Sequence, residues 1–165
     1  MNNTGGHTAV FAGTFDPFTL GHRELVLRAV GFFDTLYVLV AEDRLLRKAG
    51  MFSAAQRLEL AALTLADVKN VEVRPLSGLL TEEMRRLGAG VMVRGLRNAA
   101  DFDYEKNLFS MYRATDAAVE CLYLMAEPAL AHVSGSFVRD LIRFSGDFGR
   151  FVHPAAAARI KSLVV

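Results

Sequence analysis

The ten residues Gly13-Thr14-Phe15-Asp16-Pro17-Phe18-Thr19-Leu20-Gly21-His22 constrain this chain more than any other stretch. Before them runs Thr8-Ala9-Val10-Phe11-Ala12, β-branched and apolar, the pattern of a buried strand. After them, Leu25, Val26, Ala29, Val30 and Phe33 recur at helical spacing across Arg23 to Phe33. The stretch is therefore a strand-to-helix turn. In it, Gly13 allows backbone to approach a ligand closely, Asp16-Pro17 turns the chain, and Gly21-His22 opens the helix. A helix opening offers free N–H groups and a partial positive charge, both suited to phosphate. Thr14 at the strand end and His22 in the first helical turn are placed to face one anion. The G-x-x-x-x-G-K-[S/T] spacing of a Walker A loop is missing.

Downstream, apolar strands alternate with helical patterns along the whole chain. Thr35 to Ala41 reads as a second buried strand, followed by a polar loop, Glu42 to Gly50, with Arg44, Arg47 and Lys48. Ser53 and Gln56 form a capping-box pattern for a helix whose stripe includes Leu58, Ala61, Ala62 and Leu65. Val71 to Val73 is a third strand, ended by Pro75. Thr81 caps a short helix to Leu87, which Gly88 stops. Val91 to Val93 is a fourth strand running into Arg94. A helix over Asp101 to Ala114, a fifth strand over Glu120 to Met125, and helices over Ser134 to Ser145 and Pro154 to Val165 complete the chain. Strands that are apolar throughout, each followed by a helix, predict a parallel sheet covered on both faces. Right-handed crossovers make it a doubly wound, Rossmann-like α/β domain with five strands, one domain over residues 1–165. The chemistry-bearing residues all follow strand ends, so one mouth of the sheet would collect them.

Composition narrows the partners. The 165 residues suffice to bury about 70% of the unfolded surface. A net charge of +1 excludes a global attraction for nucleic acid or an acidic membrane, so any anion must be held by a local cluster. Cys121 is the one cysteine: it excludes an internal disulfide and a cysteine-based zinc site, and its apolar run makes it core. No apolar run approaches the roughly 18 residues of a membrane span, and the first residues lack a signal-like apolar core. A cytoplasmic protein is predicted. His7, His132 and His153 are isolated, without metal-ligand spacing, and Glu82 and Glu83 point to different helix faces.

Arg94-Gly95-Leu96-Arg97 places two guanidinium groups around a glycine directly after a buried strand. Arginine stays charged and grips phosphate oxygens in a bidentate manner, and Gly95 would permit close backbone approach. The turn containing Thr19-Leu20-Gly21-His22 resembles the signature of the nucleotidyltransferase superfamily, whose (T/H)-x-G-H tetrad binds nucleoside triphosphate. Together with Arg94 to Arg97, Ala100-Asp101-Phe102-Asp103-Tyr104-Glu105 and Ser134 to Asp140, it resembles the phosphopantetheine adenylyltransferase family. The similarity spans about residues 8 to 160.

That resemblance implies transfer of the adenylyl group of ATP, with Mg2+, to 4′-phosphopantetheine, giving dephospho-coenzyme A and pyrophosphate. It implies roles residue by residue. Thr14 would orient the attacking phosphate, and His22 would donate to the α-phosphate. Arg94 would hold the phosphopantetheine phosphate, with Leu80 lining the arm. ATP would meet Thr14, Phe15, His22, Gly95, Leu96, Arg97, Glu105 near the nucleoside, and Ser134, Gly135 and Ser136. The family's lysine corresponds to Arg47 or Lys48, with Lys48 preferred as the like-for-like ammonium. A homohexamer is implied, as is binding of coenzyme A itself. The chain departs from the family where Ser134-Gly135-Ser136 replaces three serines, where Leu130-Ala131-His132 replaces an aromatic segment, and where the loop Leu46 to Phe52 is two residues longer. Another phosphate acceptor, or a non-catalytic ATP-binding relative, stands beside this reading.

Overall fold

The computed structural model describes residues 7–46 and 49–164; the expectation for Arg47 and Lys48 lies outside them. Five parallel strands, β1 (Thr8–Gly13), β2 (Thr35–Ala41), β3 (Val71–Leu76), β4 (Val91–Leu96) and β5 (Glu120–Met125), form one sheet in the order β3-β2-β1-β4-β5. Between and after them lie α1 (Leu20–Ala29), α2 (Ala54–Leu65), α3 (Leu80–Arg86), α4 (Ala99–Thr115), α5 (Gly135–Arg143) and α6 (Pro154–Leu163). The strand order reverses between β1 and β4, the crevice where sheets of this type take ligands.

The period of two along β1 sends side chains to two cores. Ala9 and Phe11 pack with Leu25, Val26 and Ala29 of α1 and with Ala61 and Leu65 of α2 on one face. Val10 and Ala12 pack with Leu80 and Met84 of α3 and with Met92 on the other. A third cluster, Phe52, Leu60, Val138, Phe148, Ala156 and Ile160, joins α2, α5 and α6 beside the sheet.

Several expected boundaries move. Strand β3 continues through Pro75 to Leu76 because it is an edge strand, where a missing N–H leaves no ladder bond unmade. Thr81 does not cap α3: the cap position is Leu79, without a side-chain bond, and the buried Thr81 hydroxyl accepts from Thr115 at 3.2 Å. Helix α1 stops at Ala29, short of Phe33, and α5 stops at Arg143. Strand β4 runs on through Arg94 and Gly95 to Leu96. On α2, Ala62 is exposed, and the buried stripe is Arg57, Leu60, Ala61, Thr64 and Leu65. Ser53 and Gln56 do form the capping box, and Gly88 takes the positive φ of 66° that ends α3.

Candidate active site

The crevice opens because the ladder between β1 and β4 is short. β1 follows β2 in register from Thr8 to Gly13, but pairs with β4 only at Ala9–Val91 and Val10–Met92. Beyond that point the two strands part. Arg94 spans the gap, its Nη1 donating at 2.9 Å to the carbonyl of Ala12. Nε and Nη2 of the same guanidinium donate to the two carboxylate oxygens of Glu105 at 2.8 and 2.6 Å. Of its five N–H groups, two are left for a ligand. Burial works against the Arg94 charge, but the carboxylate of Glu105 holds its pKa above the ordinary arginine value.

His22 is placed by its own helix. It is the third residue of α1, and the N-cap Thr19 forms a capping box with it: the Thr19 backbone N–H donates to His22 Nδ1 at 3.0 Å, and the His22 N–H donates to Thr19 Oγ1 at 3.4 Å. A backbone N–H can only donate, so Nδ1 carries no proton and the neutral ring keeps its proton on Nε2. The rings of Phe15 and Phe18 lie 5.1 and 5.2 Å from the imidazole. Desolvation, and next the charge of Arg97, lowers its pKa from 6.5 to about 4. The ring is a neutral donor throughout the physiological range.

A cavity of about 840 Å3 lies over the carboxyl ends of β1 and β4. Of the residues expected to act, Thr14, Phe15, His22, Arg94, Gly95, Arg97, Glu105, Ser134, Gly135 and Ser136 line it. Two expected residues do not. Leu80 is packed into the core under α3 with Val10 and Met92, and Leu96 is buried at the end of β4, its carbonyl accepting from the Ala126 N–H at 2.7 Å. Sequence periodicity cannot separate an apolar cavity wall from an apolar core.

Two glycines serve packing where ligand approach was expected. A Cβ on Gly13 would lie 2.9 Å from the ring of Phe15, and one on Gly95 would collide with Leu25 of α1. Gly135 is similar: its Cβ would sit 2.9 Å from the carbonyl of Asp16. Glycine at this position therefore matches a close approach of α5 to the phosphate turn. His132 turns to the rings of Phe137 and Phe151, at 6.3 and 6.0 Å, and is not part of the cavity wall.

Other wall residues lie outside the set expected from the sequence. Arg139 and Arg143 follow Ser136 by three and seven positions, one stripe of α5, and that spacing was a usable signal. Arg139 donates to the Asp16 carbonyl at 2.6 Å and to Ser136 Oγ at 3.0 Å. Asp101 accepts from Arg97 Nε and Nη2 at 2.8 and 3.0 Å, and the hydrogen bond from Arg97 holds its carboxyl below the usual range. Buried Asp16 accepts the N–H groups of Met51 and Phe52 at 2.8 and 3.0 Å, tying the segment that leads into α2 to the turn. His22, Arg94, Arg97, Arg139 and Arg143 around the turn, with a helix opening at Ser134, form a receptacle for phosphate groups.

Known proteins resemble this chain. The cytidylyltransferase-like family model matches residues 10–141. A phosphopantetheine adenylyltransferase of Thiobacillus denitrificans is 42% identical over 157 residues, covering 95% of this chain and 97% of its own. The chain belongs to the phosphopantetheine adenylyltransferase family. A second family member, from Dehalococcoides mccartyi, is 36% identical over 93% of this chain and 96% of its own. Among solved structures, a Vibrio parahaemolyticus protein with the provisional name nicotinate-nucleotide adenylyltransferase superposes with a TM-score of 0.74 at 15% identity, covering 96% of this chain and 93% of that one. That likeness concerns the fold alone. Membership of the phosphopantetheine adenylyltransferase family rests on the sequence relatives.

Proposed function

We propose that this family member transfers the adenylyl group of ATP to 4′-phosphopantetheine, forming dephospho-coenzyme A and pyrophosphate, within one catalytic domain. What carries the assignment of residues is that Thr14, His22 and Arg94, from β1, α1 and β4, line one cavity. An oxygen of the phosphopantetheine phosphate attacks the α-phosphorus of ATP. The new P–O bond forms as the bond from that phosphorus to the α–β bridging oxygen breaks, and pyrophosphate leaves. No side chain becomes covalently attached, so catalysis consists of alignment and neutralisation of developing charge.

In this reading Arg94 holds the acceptor phosphate with its two remaining N–H groups, and Thr14 orients it toward the α-phosphorus. His22 donates its Nε2 proton in a hydrogen bond to an α-phosphate oxygen as negative charge builds there. A donor aimed in this way in a dry site contributes about 3–4 kcal/mol to the transition state. Arg97, Ser136 and the opening of α5 receive the outer phosphates, with Gly135 and Phe15 contributing backbone. Lys48 is the preferred further cation. Mg2+ arrives on the phosphates of ATP; among the described residues no three His, Cys, Asp or Glu side chains gather as a metal cage, and the cavity donors suit phosphate oxygens.

The protein acts as a homo-oligomer, a hexamer by family likeness, in the cytoplasm, and also takes coenzyme A. Support for assembly comes from α4, which buries one of its 17 residues, Glu105, while Phe102, Tyr104 and Met111 stay exposed. No helix among the described residues is long and apolar enough to cross a membrane.

Pyrophosphate release tests the reading. With Mg2+, ATP and 4′-phosphopantetheine, release is expected; with nicotinate mononucleotide or a polyol phosphate it is not. Tight ATP binding without release from any acceptor would mark a non-catalytic relative.

A further inference from the structure

Arg57, near the start of α2, has no exposed surface. A guanidinium there is costly unless its donors are used, and they are. Nε donates to the Phe52 carbonyl at 3.1 Å, Nη1 to the carbonyls of Ala41 and Thr14 at 2.8 and 2.6 Å, and Nη2 to Asp43 Oδ1 at 2.7 Å. One side chain thus joins the carboxyl ends of β1 and β2 to the entrance of α2. Stability alone is a weak reason for an arginine in this place, because a packed apolar side chain of similar volume often stabilises as well or better.

The acceptor at Thr14 supplies a stronger reason. Thr14 lines the phosphate cavity, and the residue after it, Phe15, has φ of 51°. A bulky side chain in the left-handed region is strained and persists only where its surroundings hold it. Two groups do so here. The ring of Phe15 rests against Gly13, and Arg57 grips the carbonyl of the peptide that joins Thr14 to Phe15. Rotation of that peptide would swing Thr14 relative to the cavity.

We propose that Arg57 is a positioning residue for adenylyl transfer: its hold on the Thr14 carbonyl, against the strained backbone at Phe15, fixes Thr14 toward the reacting phosphates. This rests on the reading that Thr14 touches those phosphates. Asp43, whose second carboxylate oxygen accepts the Ala54 N–H at 3.1 Å, holds the guanidinium from the outer end.

The test is kcat and KM for ATP and 4′-phosphopantetheine in Arg57→Lys, made alone and together with Thr14→Ala, with rates taken per folded protein. Alone, Arg57→Lys should lower kcat by up to about a hundredfold through misalignment, with KM little changed. With Thr14→Ala it should cost less than about twofold, since the group it aims is gone. Equal losses in both backgrounds, or an unchanged kcat in Arg57→Lys alone, overturn the proposal and leave the Thr14 reading standing. An unchanged kcat in Thr14→Ala alone overturns both. If Arg57→Lys does not fold by circular dichroism, Asp43→Asn goes through the same two backgrounds: a loss confined to the Thr14 background supports the proposal, and equal losses overturn it.

Discussion

The backbone amide of Thr19 donates to Nδ1 of His22 at 3.0 Å, and this one bond decides which nitrogen of the ring carries the proton. The capping box that starts α1 is therefore also the device that leaves Nε2 as a donor. Structure at the helix start and chemistry in the cavity are one arrangement.

His22→Ala is expected to lose at least about a hundredfold in turnover while the protein stays folded, because an exposed cap is worth about 1 kcal/mol and an aimed donor about 3–4. Steady-state kinetics with circular dichroism check it. Near-full activity, or unfolding, removes the catalytic role.

The lowered pKa of His22 has a sign. The folded ring binds its proton near pH 4 and the unfolded ring near 6.5, so in that window the unfolded state binds more protons and stability falls as pH drops. At pH 5 this amounts to about 2 kcal/mol relative to neutral pH. His22→Gln should lack that part of the acid sensitivity. Thermal melts of both proteins at pH 7.5 and pH 5 measure it, and an identical drop in Tm would remove the claim.

Glu105 places both carboxylate oxygens on Arg94. Glu105→Gln is therefore expected to raise KM for 4′-phosphopantetheine about tenfold, the loss of a charged hydrogen bond, and to leave KM for ATP nearly unchanged. A rise in KM for ATP instead would make Glu105 chiefly a nucleoside contact.

Gly135→Ser would complete a run of three serines, but its Cβ would meet the Asp16 carbonyl at 2.9 Å, a backbone atom held by Arg139. The start of α5 must move. A loss of about 1–3 kcal/mol in stability and a higher KM for ATP are expected, read by denaturant unfolding and kinetics. A more stable protein with tighter ATP binding would show that the approach is not a constraint.

Much of the site was legible because it is local. Thr14 and His22 sit either side of one turn, and Arg94 and Arg97 follow one strand, so period and turn chemistry placed them without tertiary knowledge. Leu80 and Leu96 were misplaced for the opposite reason: an apolar residue looks the same whether it faces ligand or core. Arg57, between Gln56 and Leu58, has the look of any exposed helical arginine. Pro75 reads as a strand breaker until the strand is known to lie at the sheet edge.

By itself the sequence determined the alternation of strand and helix, the phosphate turn and the family, since hydrogen-bonding periodicity and turn geometry are written within a few neighbouring residues. Only the tertiary structure decided which charges are paired and which are free. Arg57 finds its acceptors at positions 14, 41, 43 and 52, and Arg94 finds Ala12 and Glu105. A buried guanidinium is governed by whatever polar atoms the fold carries to it, and some of them, Thr14 for Arg57 and Ala12 for Arg94, lie more than forty residues away along the chain.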